Sequence, residues 1–437
     1  MLKYSLVLLL SLFVCLNRIA EATDAIDRLK ADRLEAVHQA VLKLKTELHD
    51  VPRPEPYKEF RANLHVHSAF SHDSRGTIEE IATAAKAAGT SVLMFTEHPA
   101  PHYDIYGDGH KGMRDGVLLV PGAETNGMLI YPKQSIKEVL SAKPQEMSDF
   151  VRNRGGLSFV SHLEERMEWE LSGITGVEIY NTHADAKDEK RLFASMRNPL
   201  WLLSTSELFQ KYPQESFSAL ADYPADYLKR YDELCLKAPH TGVSANDSHQ
   251  NIGLNVKLAE DGKVRVADGL DEKVTELEAA AFNAIKPIPK DAKVGDVLFQ
   301  LRLDPYESSL RHVGTHLLMK ELTEEAVWDA LNNGRAFVAF DWIASATGFD
   351  FVAMEGNMRH EMGSVIKFKP GLDLKGHAPL PGHWKLIRNG KCIYEADGRS
   401  LEFVLAEPGN YRVEVWQNLA GEDRIWVLSN PVYVTDK

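Results

Sequence analysis

The stretch Ala62-Asn63-Leu64-His65-Val66-His67-Ser68 decides the reading of this chain. An apolar run ends in two histidines one residue apart, and because a strand repeats every two residues, both rings can project from the same face. The event recurs downstream. The run at 91–95 leads into Glu97-His98, 117–120 precedes Glu124, 157–160 meets His162, and 241–245 runs into Asp247-Ser248-His249. A further run lies at 177–180. Five apolar runs that end in histidine, aspartate or glutamate point to one shared metal site, whereas any one of these groups alone reads as a surface or capping residue.

Working outward, the runs alternate with helical stretches, as parallel strands with crossover helices do. Thr77-Ile78-Glu79-Glu80 is a capping-box sequence that starts a helix, and Gly89 is placed to end it. In parallel α/β barrels the C-terminal strand ends gather round one active site, so the distant ligand residues are expected to converge.

The segment Leu64-His65-Val66-His67-Ser68 followed by Asp73, then Thr96-Glu97-His98, Gly122-Ala123-Glu124, Ser161-His162 and Asn246-Asp247-Ser248-His249, resembles the ordered motif set of the polymerase and histidinol phosphatase (PHP) family. The resemblance covers roughly 60–340. It implies an α/β fold, a distorted (β/α)7 TIM-like barrel, and a phosphoesterase that uses two or three divalent ions and a metal-bridging hydroxide. It implies that His65, His67, Glu124 and Asp247 hold one ion, that Glu124 bridges to a second held with His162, and that Asp73, His98 and His249 hold a third. Glu124, Asp247 and His249 are the implied catalytic residues. A further ligand of the second ion usually follows the next strand, where Asn181-Thr182-His183 stands; His183 is the candidate and Asn181 its rival. Two positions depart from the common pattern: Glu97, where aspartate is frequent, and Leu163, where proline is. Both bear on substrate subclass more than on metal binding. Imidazole and carboxylate without thiolate suit Zn, Mn or Fe.

The ends of the chain read differently. Lys3, an apolar run at 4–16 and Ala20-Glu21-Ala22 form the pattern of a secretory signal peptide, so 1–22 is expected to be removed on export to the periplasm or beyond, without a retained membrane span. That removal takes away two basic residues and one acidic one and moves the formal net charge from −13 to −14. Such a chain repels duplex nucleic acid, while a small phosphorylated substrate can bind where cations reverse the local field. An amphipathic helix is expected at 25–48, within an N-terminal segment 23–52 that the prolines at 52, 54 and 56 close. The barrel is then expected over 53–343. Within it, 254–274 reads as loop or hairpin, 321–332 as a helix and 336–340 as a strand. From 344 to 437 the pattern becomes short strands and turns, with Asn389-Gly390 as a hairpin signal, and predicts a small antiparallel β-sandwich-like domain. Trp384, Trp416 and Trp426 there read as core before they read as a ligand platform. Cys235 and Cys392 lack the spacing of a zinc ribbon or a disulfide framework and read as thiols, with a single bridge as the alternative.

Arg75, Lys111, Arg114 and Arg166 follow the strand-end motifs and are either substrate-binding cations or solvated charges; His102 and His110 are weaker candidates for acids to the leaving group. Two other functions fit less well. An amidohydrolase would be expected to show a metal-bridging carboxylated lysine or equivalent late in the barrel, whereas here Glu124 is the implied bridge, and a non-catalytic binding module would be expected to have lost part of the ligand set.

Overall fold

Helix Ala31–Glu47 packs Leu34 and Val41 inward, and a short turn, Ala25–Arg28, precedes it. The computed structural model describes residues 24–436, so the expected signal peptide lies outside the described residues. Among the described residues no helix is long and apolar enough to cross a membrane.

The protein is mixed α/β with one large sheet and a separate four-stranded sheet. The site is built on eight strands: β1 Lys58–Val66, β2 Val92–Phe95, β3 Val117–Val120, β4 Ala123–Thr125, β5 Met128–Tyr131, β6 Leu157–Val160, β7 Gly176–Asn181 and β8 Thr241–Ser248. β1 lies between β2 and β8, parallel to both, β2 pairs parallel with β3, and β6, β7 and β8 pair parallel in turn. Their side chains are buried almost throughout, as expected of strands covered on both faces. A single bridge, Glu97 to Ala123, joins the extension of β2 to β4.

β4, β5 and β6 pair antiparallel, an interruption the apolar runs did not reveal. Its cause is local: Asn126 and Gly127 both have positive φ, 52° and 75°, and make the two-residue hairpin turn that this dipeptide favours.

Residues 254–274, expected to be a loop or hairpin, form a hairpin of Gly253–Leu258 with Lys263–Ala267 that is part of the four-stranded sheet, in which Lys273–Glu278, Lys263–Ala267, Gly253–Leu258 and Val297–Arg302 pair antiparallel in that order. Alternate residues Leu254, Val256, Val264 and Val266 are buried there against Leu29 and Leu34 of the N-terminal helices and Phe209 of helix Pro199–Lys211. Only the last strand, far along the chain, completes the sheet.

The C-terminal strands pair antiparallel except for Val365–Lys367, which runs parallel to Val432–Thr435, and the longest of them, Leu372–Arg388, turns through Asn389-Gly390 into Lys391–Val404. Strand Ala336–Ala339 pairs with Gly314–Met319 on one side and with Glu422–Ser429 on the other, and so links β1 to the C-terminal strands. Trp384 and Trp426 are fully buried, as core residues are, while Trp416 is partly exposed against Tyr223. Cys235 and Cys392 are not joined in a disulfide.

Candidate metal centre

The ligand side chains leave the strands where the backbone departs from a plain pleat. His65, His162 and Asp247 have φ of 63°, 44° and 49°, a region that non-glycine residues rarely adopt. The register of β1 against both neighbours shifts between Leu64 and Val66, so a bulge at His65 turns its ring toward that of His67, with centroids 5.2 Å apart. Alternation alone, the basis for expecting the H-x-H pair on one face, is therefore not what aims these rings. Backbone strain of this kind clusters at functional sites.

Two groups of ligand atoms result: His65, His67, Glu124 and Asp247, and His67, Asp73, His98 and His249. His65 Nε2 lies 3.1 Å from Glu124 Oε2 and 3.2 Å from Asp247 Oδ1. His67 Nε2 is 3.6 Å from the same two oxygens. Asp73 Oδ2 faces His98 Nε2 and His249 Nε2, each at 3.3 Å. The second oxygens look elsewhere. Glu124 Oε1 is 3.1 Å from His162 Nε2, and Asp247 Oδ2 is 3.4 Å from both His162 Nε2 and His183 Nδ1. His67 is common to both groups, but an imidazole nitrogen has one lone pair and can hold only one ion.

Whether these residues suit a metal is tested by their unmatched atoms. Nε2 of His65, His67 and His249 and one oxygen each of Asp73 and Asp247 are buried without a hydrogen-bond partner. Buried polar atoms left so are costly, and here Nε2 of His65 and of His67 both face Asp247 Oδ1. The far side of each ring is occupied. His65 Nδ1 meets Glu178 Oε1 at 2.7 Å, His67 Nδ1 meets Ser71 Oγ at 3.0 Å, and His249 Nδ1 meets its own strand at Asp247 O, also at 3.0 Å. Ser71 Oγ donates to Glu97 Oε2 at 2.7 Å and accepts from the His98 amide, so toward His67 it is left to accept. This is how metal-binding imidazoles are held, with Nδ1–H tied back and Nε2 presented to the ion. The residues fit divalent cations.

Burial works against charge at every one of these groups, yet the acids stay ionised. Asp73, Glu124 and Asp247 are all held below the ordinary carboxylate range, because facing histidines outweigh desolvation. Desolvation and the neighbouring His249 push His67 down to about 3, so its ring is neutral. His162 and His249 also lose by burial, but Glu124 raises the first to about 10 and Asp73 the second to about 9. A cation entering the centre meets fixed negative charge and displaces protons from these rings.

Of the residues singled out from sequence, His65, His67, Asp73, His98, Glu124, His162, Asp247 and His249 are brought together. His183 stands at the rim, half exposed, reaching Asp247 from the His162 side. Asn181 is committed elsewhere: its oxygen accepts from the amides of His183 and Ala184 and caps helix Thr182–Asp188, while Nδ2 donates to Glu178. The four cations are engaged away from the ligand atoms. Arg75 donates to the carbonyls of His72 and Ser74, Lys111 to those of Tyr106 and Gly107, Arg114 to Glu79, and Arg166 to those of Ser161 and His162. His110 lies 3.3 Å from Ser68 Oγ, and His102 packs on Tyr103.

Sequence reading missed Glu178 and Tyr306 as residues that hold the ligands, and Glu97, read there as bearing on substrate subclass, holds Ser71 beside His67 instead. Glu178 and Glu97 are buried acids that orient His65 and, through Ser71, His67. Tyr306 places its hydroxyl between the carbonyls of His67 and His249, at 2.8 and 3.1 Å, and pins two strand ends together. Gly76 leaves room for that ring, since a Cβ there would lie 2.2 Å from the hydroxyl.

Residues 63–265 match the PHP domain, a span that contains every ligand named above. The chain carries a PHP domain. Among solved structures, the chain is similar to a two-domain protein from Bacteroides vulgatus containing a predicted PHP-like metal-dependent phosphoesterase, with 13% identity and a TM-score of 0.35 over 88% of this chain and 98% of that one. No curated protein matches the chain.

Proposed function

We propose that this protein is an exported metal-dependent phosphoesterase that hydrolyses a small phosphomonoester or phosphodiester at a centre of two to three divalent ions, Zn, Mn or Fe. The reading rests above all on Glu124, whose two oxygens face different histidines, His65 and His162, each at 3.1 Å. A carboxylate so placed can join two ions. Divalent ions bound there would supply Lewis acidity toward phosphoryl oxygens and lower the pKa of water. His65, His67 and Asp247 would complete one position, His162 and His183 the second, and Asp73, His98 and His249 the third. The chain's own groups do the rest. Glu178, Ser71 and Tyr306 fix the ligands, burial of the histidine rings keeps bulk water from one side, and the half-exposed His183 marks the side from which substrate approaches. We read the eight strands around the site as the distorted (β/α)7 barrel of the PHP family, with the hairpin as its distortion, and the C-terminal strands as an added β domain.

The test is a hydrolysis screen of purified protein on nucleotides, sugar phosphates and phosphodiesters with Mn or Zn added, together with elemental analysis. Two to three ions per chain and turnover of at least one ester class are expected. Less than about one ion after metal loading would overturn the reading. Export is supported by the apolar run and Ala20-Glu21-Ala22, and mass spectrometry of the protein from its host is expected to show a chain beginning at Thr23.

A further inference from the structure

We infer that Glu178 is the positioning residue that selects the metal-binding tautomer of His65, an inference that rests on the centre proposed above. Glu178 stands in the middle of β7 with no exposed surface, surrounded by apolar strand residues. It has three hydrogen-bond partners. Oε1 lies 2.7 Å from His65 Nδ1, and Oε2 takes the His162 amide at 2.7 Å and Asn181 Nδ2 at 2.9 Å. One carboxylate therefore fixes a ring on β1, the backbone that carries His162 beyond β6, and the cap that carries His183. These are ligand candidates on both sides of Glu124.

Glu178 meets donors at Oε2 and serves there as an acceptor, and with the same role at Oε1 the proton shared with His65 is assigned to Nδ1. The lone pair of Nε2 is then free to face Glu124 and Asp247, where it lies without a hydrogen-bond partner. Glutamine at 178 keeps the shape but has a donating edge. Turned toward His162 and Asn181, that edge would meet two donors. Turned toward His65 it meets one, and the conflict is relieved if the imidazole moves its proton to Nε2. The ring then presents N–H where an ion needs a lone pair.

The experiment is zinc binding to purified full-length protein, wild type and Glu178→Gln, by chelator competition and elemental analysis, with circular dichroism on both. The expected result is an unchanged spectrum and at least one zinc held about 10–100-fold more weakly in the variant, the usual cost of removing a group that orients a metal ligand. Wild-type stoichiometry and affinity in folded Glu178→Gln would overturn the inference. Should the variant not fold, long-range 1H–15N spectra of zinc-loaded wild type with labelled histidine decide it, the His65 signals being assigned by their loss in His65→Gln. A proton on Nδ1 and zinc on Nε2 are expected; the reverse overturns the role given to Glu178. Wild-type protein that binds no zinc, Mn or Fe would fail the proposed function itself, a separate outcome.

Discussion

Glu124 and Asp247 differ from the histidines around them in offering two oxygens, each aimed at a different partner set. An amide at either position keeps one oxygen and turns the other into an NH2 that cannot bind a cation. Glu124→Gln is therefore expected to weaken the hold on one of two neighbouring ions and to lower turnover by several orders of magnitude, and Asp247→Asn to behave alike. Rate, metal content and circular dichroism on each variant separate lost chemistry from lost folding. Near-normal turnover of Glu124→Gln with its metals bound would sink the two-ion reading. At this scale the ligands were legible because each is a metal-binding residue type at the end of an apolar run. Glu178 was not, since its burial depends on two ligands from distant strands. A signal was present all the same: a glutamate inside Gly-Val-Glu-Ile-Tyr, a run with the look of a strand covered on both faces, requires a buried partner.

Elements bring these residues together without all contributing ligands. Helix Ile78–Ala88 starts where Thr77 accepts from the Glu80 amide at 3.3 Å and ends at Gly89 with φ of 78°. Both ends were legible because caps are local chemistry. Removing the hydroxyl in Thr77→Ala is expected to cost about 1 kcal/mol of stability, measured by urea unfolding, and to leave metal content unchanged, because the helix carries none of the ligand residues. Loss of a bound ion in that variant would show that the helix does more than support β1 and β2. What sequence did not disclose at this scale was non-local or fine-grained. The hairpin through Asn126-Gly127 was hidden because β4 and β5 are only 3 and 4 residues long, and the four-stranded sheet closes with Val297–Arg302, separated from its partner strand Gly253–Leu258 by two strands, a helix and a loop. The bulge at His65 leaves no mark in a sequence that still reads as simple alternation.

Across the whole molecule, the strands around the site and the C-terminal strands share one apolar cluster that includes Val177 and Phe337 as well as Trp384 and Trp426. Asn430 ties them further, accepting from the Gly242 amide at 2.7 Å and donating to the carbonyls of Gly242 and Ala336 at 3.1 and 2.8 Å. Gly242 lies on β8, the strand that carries Asp247, so Asn430→Ala is expected to lower stability by on the order of 3 kcal/mol by leaving those buried groups unmatched, read as a drop in denaturation midpoint. A second tie involves charge. His316, buried on Gly314–Met319, places Nδ1 2.6 Å from Glu59 and Nε2 2.9 Å from Asp341, and Asp341 also meets Arg61 at 2.9 Å. Burial lowers the pKa of this imidazole, but the charge and hydrogen bond of Asp341, helped by Glu59, more than reverse that and raise it to about 9. A histidine in the unfolded chain titrates near about 6.5, so the folded value is the higher one. The stabilisation from the charged ring is therefore full below about pH 6.5 and is lost as pH rises through about 9. Comparing His316→Gln with wild type in the presence of chelator isolates this effect, because the histidines of the metal centre titrate alike in both. The difference in melting temperature is expected to be constant at mildly acid pH and to shrink steadily from about pH 7 to about pH 10. A difference that does not change with pH would mean that His316 is neutral in the folded protein and that Glu59 and Asp341 hold it by hydrogen bonds alone.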